Sequence, residues 1–181
     1  MRLPPLPADE WDDPAVQEAL AVMLPEERRN PGQASNILST FVRHPDLTKA
    51  FLRFNVHLLF NSTLPPRERE LAILRVAHRT GSEYEWFQHV KIGLREGLTE
   101  DEIAGVQRGP TGYQAADEFD RTVLTGVDEL MDSYELTDVT WSALGERFDE
   151  RQRMDFVFTI GCYITVAMAL KTFGIELDEK R

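Results

Sequence analysis

The sequence predicts an all-α protein built as a single-domain helical bundle. Three observations carry that prediction. Apolar residues recur at three- and four-residue spacing through most of the chain. Proline, Ser/Thr/Asp and glycine stand where those runs begin and end. No stretch shows sustained two-residue alternation with turn signals, and no internal repeat period is present. At 181 residues with 42% hydrophobic content, residues 1–181 suit one ordinary domain with a single core.

The elements follow in order. The first ten residues are rich in proline and are expected to lie extended over the surface, within an N-terminal extension over residues 1–34. Asp12 or Asp13 before Pro14 starts a first helix, with Val16, Leu20 and Met23 at helical spacing. Glu26 to Gly32 reads as a loop. Ser35 or Asn36 caps a short helix that runs to His44 and stops at Pro45. Asp46 caps the next, with Leu47, Phe51, Phe54, Leu58 and Leu59 on its inward face. Pro66 suits a first helical turn, and Arg67 to Arg79 is rich in strong helix formers before Gly81. Ser82 is a natural N-cap with Glu85 three residues on, and that helix runs to Gly97. Thr99 and Glu102 repeat the pattern for a short helix ending near Gly109-Pro110. Gly109 to Gly112 reads as the clearest mid-chain loop. Helices are then expected over Ala115 to Ser133, Asp138 to Phe148, and about Glu150 to Phe173, closed by Gly174.

Charge and cysteine content narrow the function. The chain carries 20 Lys+Arg against 31 Asp+Glu, a net charge of −11. Such a surface repels phosphate backbones and anionic lipid, so neither nucleic acid nor membrane is the expected partner; a local arginine cluster could still receive an anionic substrate. Cys162 is the only cysteine, which rules out an intramolecular disulfide and a cysteine-based metal site. It is read as a core residue. The longest apolar stretch, Phe156 to Leu170, falls short of the roughly 20 residues a membrane span requires, and Met1 to Trp11 holds no apolar run of signal-peptide length. A cytoplasmic location is the expectation.

The residues that could carry chemistry fall on two consecutive helices. Glu70 shares a helix face with Ile73, Leu74 and Ala77, so it sits at or near the stripe that should face the core. A carboxylate there is costly unless it is paired or holds its proton. Ser82, Glu85 and His89 stand at i, i+3 and i+7, along one side of two helical turns. Gly93, one turn further, would let a backbone or a ligand approach closely. Plainer readings exist for each. Glu70 could be a surface residue bonded to Arg67 or Arg75. Ser82 and Glu85 could be a cap and its capping-box partner, and His89 a satisfied core histidine or a partner of Glu85. Among the other histidines, His57 is the strongest additional candidate, because its helix precedes the Glu70 segment. No His-Glu-x-x-His motif and no phosphate-cradling glycine loop is present, so neither a metal nor a cofactor is expected.

These residues lie inside a longer pattern. Leu64-Pro-Pro-Arg-Glu-Arg-Glu-Leu-Ala-Ile-Leu-Arg-Val-Ala is followed by Gly81-Ser-Glu-Tyr-Glu-Trp-Phe-Gln-His89 and then by Gly97-Leu-Thr-Glu-Asp-Glu-Ile103. In that order the segments resemble the core motif of the carboxymuconolactone decarboxylase family, whose superfamily includes the alkylhydroperoxidase D-like disulfide reductases. The core motif spans about residues 47–109. The tail, from Trp141 through Cys162 to Phe173, is similar to a longer branch of the family. The resemblance implies an alkylhydroperoxidase D-like helical bundle.

Peroxidase-type members carry a Glu, eleven residues, then Cys-x-x-Cys-x-x-x-His. Laid on this chain, the Glu is Glu70 and the His is His89, while the thiol positions become Ser82 and Glu85. Thiol peroxidase chemistry needs a thiolate and a resolving thiol, which hydroxyl and carboxylate cannot replace. That activity is not expected.

What remains is a set that handles protons. The decarboxylase resemblance implies a small organic acid or lactone as substrate, and a carboxy-lyase or related isomerase step. Catalysis would fall to His89 as general acid/base, Glu70 as its partner and Glu85 as a second proton carrier. Ser82, Tyr84, Trp86 and His57 are the candidates for substrate contact, and Arg67, Arg69 or Arg75 for holding a substrate carboxylate. The alternative is a non-catalytic ligand-binding or scaffold protein that kept the fold after losing the thiols. An enzyme should show an enclosed pocket where Glu70 and His89 approach hydrogen-bond distance, whereas a scaffold should fill that region with side chains such as Trp86 and Phe87. The resemblance also implies a homo-oligomer (dimer, trimer or hexamer). A helix at Phe156 to Leu170 that is apolar nearly all round points the same way.

Overall fold

Glu70, Glu85 and His89 are positioned by a set of packed helices, described in a computed structural model for residues 2–114 and 117–178. Among the described residues every regular element is a helix. They are α1 (Pro14–Leu20), α2 (Asn36–Phe41), α3 (Pro45–Val56), α4 (Pro66–Thr80), α5 (Glu83–Arg95), α6 (Glu100–Val106), α7 (Gly109–Gly112), α8 (Glu118–Ser133), α9 (Asp138–Leu144) and α10 (Glu150–Phe173). Their contacts divide the chain into two compact units, residues 1–61 with 169–181, and residues 62–168.

In the first unit the N-terminal segment is part of the core, contrary to the surface placement its prolines suggested. Leu6 and Trp11 are buried with Val16, Leu20, Leu38, Val42 and Leu52. The Trp11 indole N–H donates to the Leu6 carbonyl at 3.1 Å, which satisfies the polar edge of a buried ring. Asp13 caps α1 by accepting from the Ala15 N–H. The expected loop after α1 contains a 3-10 turn at Glu26–Arg28. α3 starts at Pro45, not at Asp46: His44 is its cap, and Pro45 takes the first turn where its missing N–H costs nothing. Its inward face also differs from the expected one. Leu47 is 62% exposed and Phe54 40%, while Thr48, Leu52 and Asn55 are buried. The Thr48 hydroxyl is satisfied by the Phe41 carbonyl, so a polar side chain faces inward at no penalty. Arg2 and Leu3 donate their N–H groups to the Phe173 carbonyl, and Gly174 follows with φ 68°.

The second unit is organised around α4, whose residues Arg69 to Ala77 are all buried. A helix buried on every side must pair whatever charge it carries. Arg75 forks onto the Asp128 carboxylate at 2.8 and 2.9 Å and donates to the Val106 carbonyl at 2.8 Å, which ties α4 to α8 and α6. Arg67 spans Asp120 at 2.7 and 2.8 Å and Glu102 at 2.6 Å. α4 stops at Gly81 in the left-handed region (φ 64°). The Gly81 N–H bonds the His78 carbonyl and the Ser82 N–H bonds that of Ala77, and this paired closure turns the chain directly into α5. At Thr99 the expected capping box forms in full with Glu102.

Three expected boundaries differ. Gly109–Gly112 forms one helical turn, because Pro110 presets a helical φ at its start. The helix expected from Ala115 begins at Glu118, and residues 115–116 lie outside the described residues. α9 ends at Leu144 rather than Phe148.

α10 is 24 residues long, more than its apolar stretch suggested, and by length and composition alone it could cross a bilayer. Its packing in the second unit is that of a core helix along one face. Phe156, Thr159, Ile160, Cys162, Tyr163 and Val166 are buried there, with Phe156 against Phe148 at 6.3 Å. The opposite side leaves Met154, Val157, Phe158 and Met168 exposed.

Candidate functional site

The central feature of the second unit is a carboxylate with no access to solvent. Glu70 projects from the buried helix α4 and is 0% exposed. One oxygen, Oε1, accepts from the Arg69 Nε–H at 3.2 Å. The other, Oε2, lies 2.6 Å from His89 Nδ1 on α5. An ionised carboxylate can only accept, so in that pair Nδ1 carries the hydrogen. With that tautomer, Nε2 is the nitrogen free to exchange a proton. His89 Nε2 bonds to no described residue, and it is not among the sealed atoms that lack partners.

Two further observations explain why the pair can form. Gly93 of α5 lies against α4: a Cβ there would crowd Leu98 Cδ1 at 3.0 Å and stand in contact with Leu74 Cδ1 at 3.4 Å and Glu70 Cβ at 3.8 Å. Tyr163 of α10 then closes the other side of the imidazole, edge-on at 4.9 Å between ring centroids and 88° between planes. Tyr163 is a member of this constellation that sequence reasoning missed. It lies far downstream in an apolar run, and nothing in its neighbours marks it. Burial drives its phenol pKa well above the ordinary value, and the Glu70 and Glu85 carboxylates add to the effect while Arg69 opposes it.

On α5, Ser82 and Glu85 face inward with His89. The plain capping reading fails: Ser82 occupies the N-cap position, but its side chain makes no capping bond. Its Oγ and both Glu85 carboxylate oxygens are sealed from solvent without a hydrogen-bond partner. Glu85 is 3% exposed, and burial pushes its carboxyl up to about 7; the nearby Ser82 hydroxyl opposes the shift. It is therefore a carboxyl that gains and loses its proton near neutrality. An orphaned, nearly neutral carboxyl beside a buried His–Glu pair is the arrangement expected where a proton is to be handled.

The remaining candidates are placed as follows. Arg67 and Arg75 are committed to carboxylates of other helices, so the surface alternative for Glu70 does not apply. Tyr84 is buried on α5. Trp86 packs edge-on to His78 at 6.2 Å, and Phe87 lies under the Lys91 ammonium at 3.7 Å. His57 is exposed on a π-helical turn, His57–Asn61, in the first unit. A groove of about 410 Å³ opens elsewhere in the second unit, among Leu130, Tyr134, Leu136, Trp141 and Val157. Its titratable groups, Glu135 and Asp138, are solvated acids rather than an acid/base pair. Among the described residues no three His, Cys, Asp or Glu side chains gather as a metal site would require.

Glu70, Ser82, Glu85 and His89 all fall within residues 45–122, which match the sequence profile described as the carboxymuconolactone decarboxylase family. Residues 45–122 belong to the carboxymuconolactone decarboxylase family. No curated protein sequence matches the chain. Solved structures do. The alkylhydroperoxidase D core of an uncharacterised peroxidase-related protein from Ralstonia eutropha JMP134 is 17% identical, with a TM-score of 0.78 over 99% of this chain and 94% of that one. A putative antioxidant defence protein of the AhpD type from Agrobacterium tumefaciens is 21% identical, with a TM-score of 0.69 over 76% and 94%. A variant of the debrominase Bmp8, solved with 2,3,4-tribromopyrrole, is 17% identical, with a TM-score of 0.68 over 98% and 92%. At such identities the likeness establishes the fold, which is all-α and alkylhydroperoxidase D-like. Within it, the chain has Ser82 and Glu85 at the two positions where the peroxidase-type motif would carry thiols, and its only cysteine is Cys162.

Proposed function

We propose that this protein is an acid/base enzyme acting on a small organic acid or lactone, by decarboxylation or a related lyase or isomerase step. The observation that carries the reading is the buried 2.6 Å pair of His89 and Glu70. In a decarboxylation, the bond between the carboxylate carbon and its neighbour breaks and carbon dioxide leaves. The electron pair stays behind, delocalised into the conjugated lactone carbonyl, and a proton then quenches it at carbon. His89 delivers that proton from Nε2, and Glu70 holds the ring and balances its charge while it is protonated. Glu85, whose carboxyl burial pushes up to about 7, is the second proton carrier. Ser82, with an orphaned hydroxyl, is the polar contact for the substrate.

Thiol peroxidase chemistry is not part of this proposal, because the pair of thiols it requires is missing. The protein is proposed to work in the cytoplasm as a homo-oligomer, its exposed apolar stripe on α10 covered by a second copy. The deciding experiment is turnover of a carboxymuconolactone-type substrate, followed as carbon dioxide release, with His89→Gln alongside. Release by wild type that falls at least a hundredfold in a folded His89→Gln protein is the expected result, in line with the roughly 10²–10⁴ typical of general acid/base groups. A folded variant that works as fast as wild type removes the proposal.

A further inference from the structure

Of the four arginines on α4, three use both of their Nη groups on acids or carbonyls. Arg67 spans Asp120 and Glu102, Arg75 forks onto Asp128 and two backbone carbonyls, and Arg79 bonds Asp128 and Asp132. Arg69 is different. It is 7% exposed, yet of its five N–H donors only Nε–H is used, on Glu70 Oε1 at 3.2 Å. A guanidinium that deeply placed is expensive to leave unsatisfied. Its two Nη groups are not among the sealed atoms lacking partners, whereas Ser82 Oγ and both Glu85 oxygens are. Part of the little surface Arg69 retains therefore lies at the fork, the part of the side chain that recognises planar anions.

The position of that fork is informative. Arg69 and His89 occupy the two oxygens of one carboxylate, so they flank the same group from opposite sides. Tyr163 packs on His89 and lies within electrostatic reach of Glu70, Glu85 and Arg69 together. We propose that Arg69 is the anion receptor of this site: its free Nη edge takes a substrate carboxylate and sets the neighbouring carbon against His89 Nε2. This assignment rests on the acid/base reading of the site and adds the substrate class it admits, a small molecule held by one of its carboxylates. Arg69 and Glu70 cancel one another's charge, so an arriving carboxylate brings uncompensated negative charge towards His89 and Glu85.

The test uses a non-reacting probe, 5-oxotetrahydrofuran-2-carboxylate, with its methyl ester as the neutral control, and binding is read by calorimetry on the full chain. Wild type is expected to bind the acid on the order of tenfold or more tightly than the ester. Arg69→Gln is expected to lose that preference, and Arg69→Lys, which keeps the charge without the fork, to retain part of it. Carbon dioxide release tests the acid/base reading, while acid-over-ester preference tests Arg69. The assignment is overturned if wild type binds neither compound, if it binds both equally, or if folded Arg69→Gln keeps the preference. Should Arg69→Gln not fold, Arg69→Lys and the wild-type comparison decide: a wild-type preference unchanged in the lysine variant overturns the bidentate recognition.

Discussion

Replacing Glu85 by Gln keeps the shape of the side chain and removes its charge, and this isolates what burial does to the carboxyl. Glu85 is 3% exposed and has no hydrogen-bond partner, and its pKa rises from 4.5 to about 7 because the ionised form loses its hydration. A raised carboxyl pKa means that the folded protein holds the proton more tightly than the unfolded chain does. Below about pH 4.5 both states are protonated and folding carries no penalty. Between 4.5 and 7 the unfolded chain has released its proton while the folded protein keeps it, so stability falls as pH rises. Above about 7 both are ionised and the loss is complete. At about 1.4 kcal/mol per pH unit of difference, the loss is about 3 kcal/mol.

Glu85→Gln has no such proton to release. It should match wild type near pH 4.5 and exceed it by about 3 kcal/mol at pH 8, with most of the gap opening before pH 7. Urea unfolding of both proteins, followed by far-UV circular dichroism at half-unit pH steps and one protein concentration, measures this directly. The other carboxylates are common to both proteins and cancel in the difference. A gap that stays constant from pH 4.5 to 8 would refute the reasoning, since it would mean that Glu85 ionises alike in both states.

Two other outcomes follow from the packing. Arg67→Met leaves the Asp120 carboxylate, 1% exposed, without its cation, and should cost about 3 kcal/mol in chemical denaturation. Adding Asp120→Asn should restore most of that; equal losses in the single and double variants would show the pair to be uncoupled. Light scattering at micromolar concentration should give a multiple of the 20.7 kDa chain, reduced by Phe158→Glu on the exposed side of α10, and a monomeric wild type would rule out the oligomer.

Much of the site can be read from the sequence because it depends on spacing along single helices. The i, i+3, i+7 placement of Ser82, Glu85 and His89 follows from helical geometry, and the start of α4 at Pro66 and its end at Gly81 follow from local φ preferences. The departure at Ser82 and Glu85 is plain in the residues themselves. The α3 face was misread because Thr48 is as inward as Leu52 once its hydroxyl finds the Phe41 carbonyl, a bond that hydropathy does not register. Gly109–Gly112 was misread as a loop because a single helical turn is too short to show periodicity.

By itself, then, the sequence determined the all-α class, the family segment and the order of acid, hydroxyl, carboxyl and imidazole along α4 and α5. Only the tertiary structure decided how those groups are partnered. Glu70 and His89 meet because α4 and α5 pack against each other, with Gly93 facing Leu74 and Glu70. Tyr163 closes on the imidazole from a helix distant in the chain. Of four arginines in one helix, Arg69 alone among those described keeps both Nη groups unused, because acids on α6 and α8 face the other three. Spacing along a helix fixes which residues share a face. Which acid, ring or solvent that face meets depends on the packing of other helices, and burial without a partner, the condition that pushes Glu85 towards neutrality, exists only once they have packed.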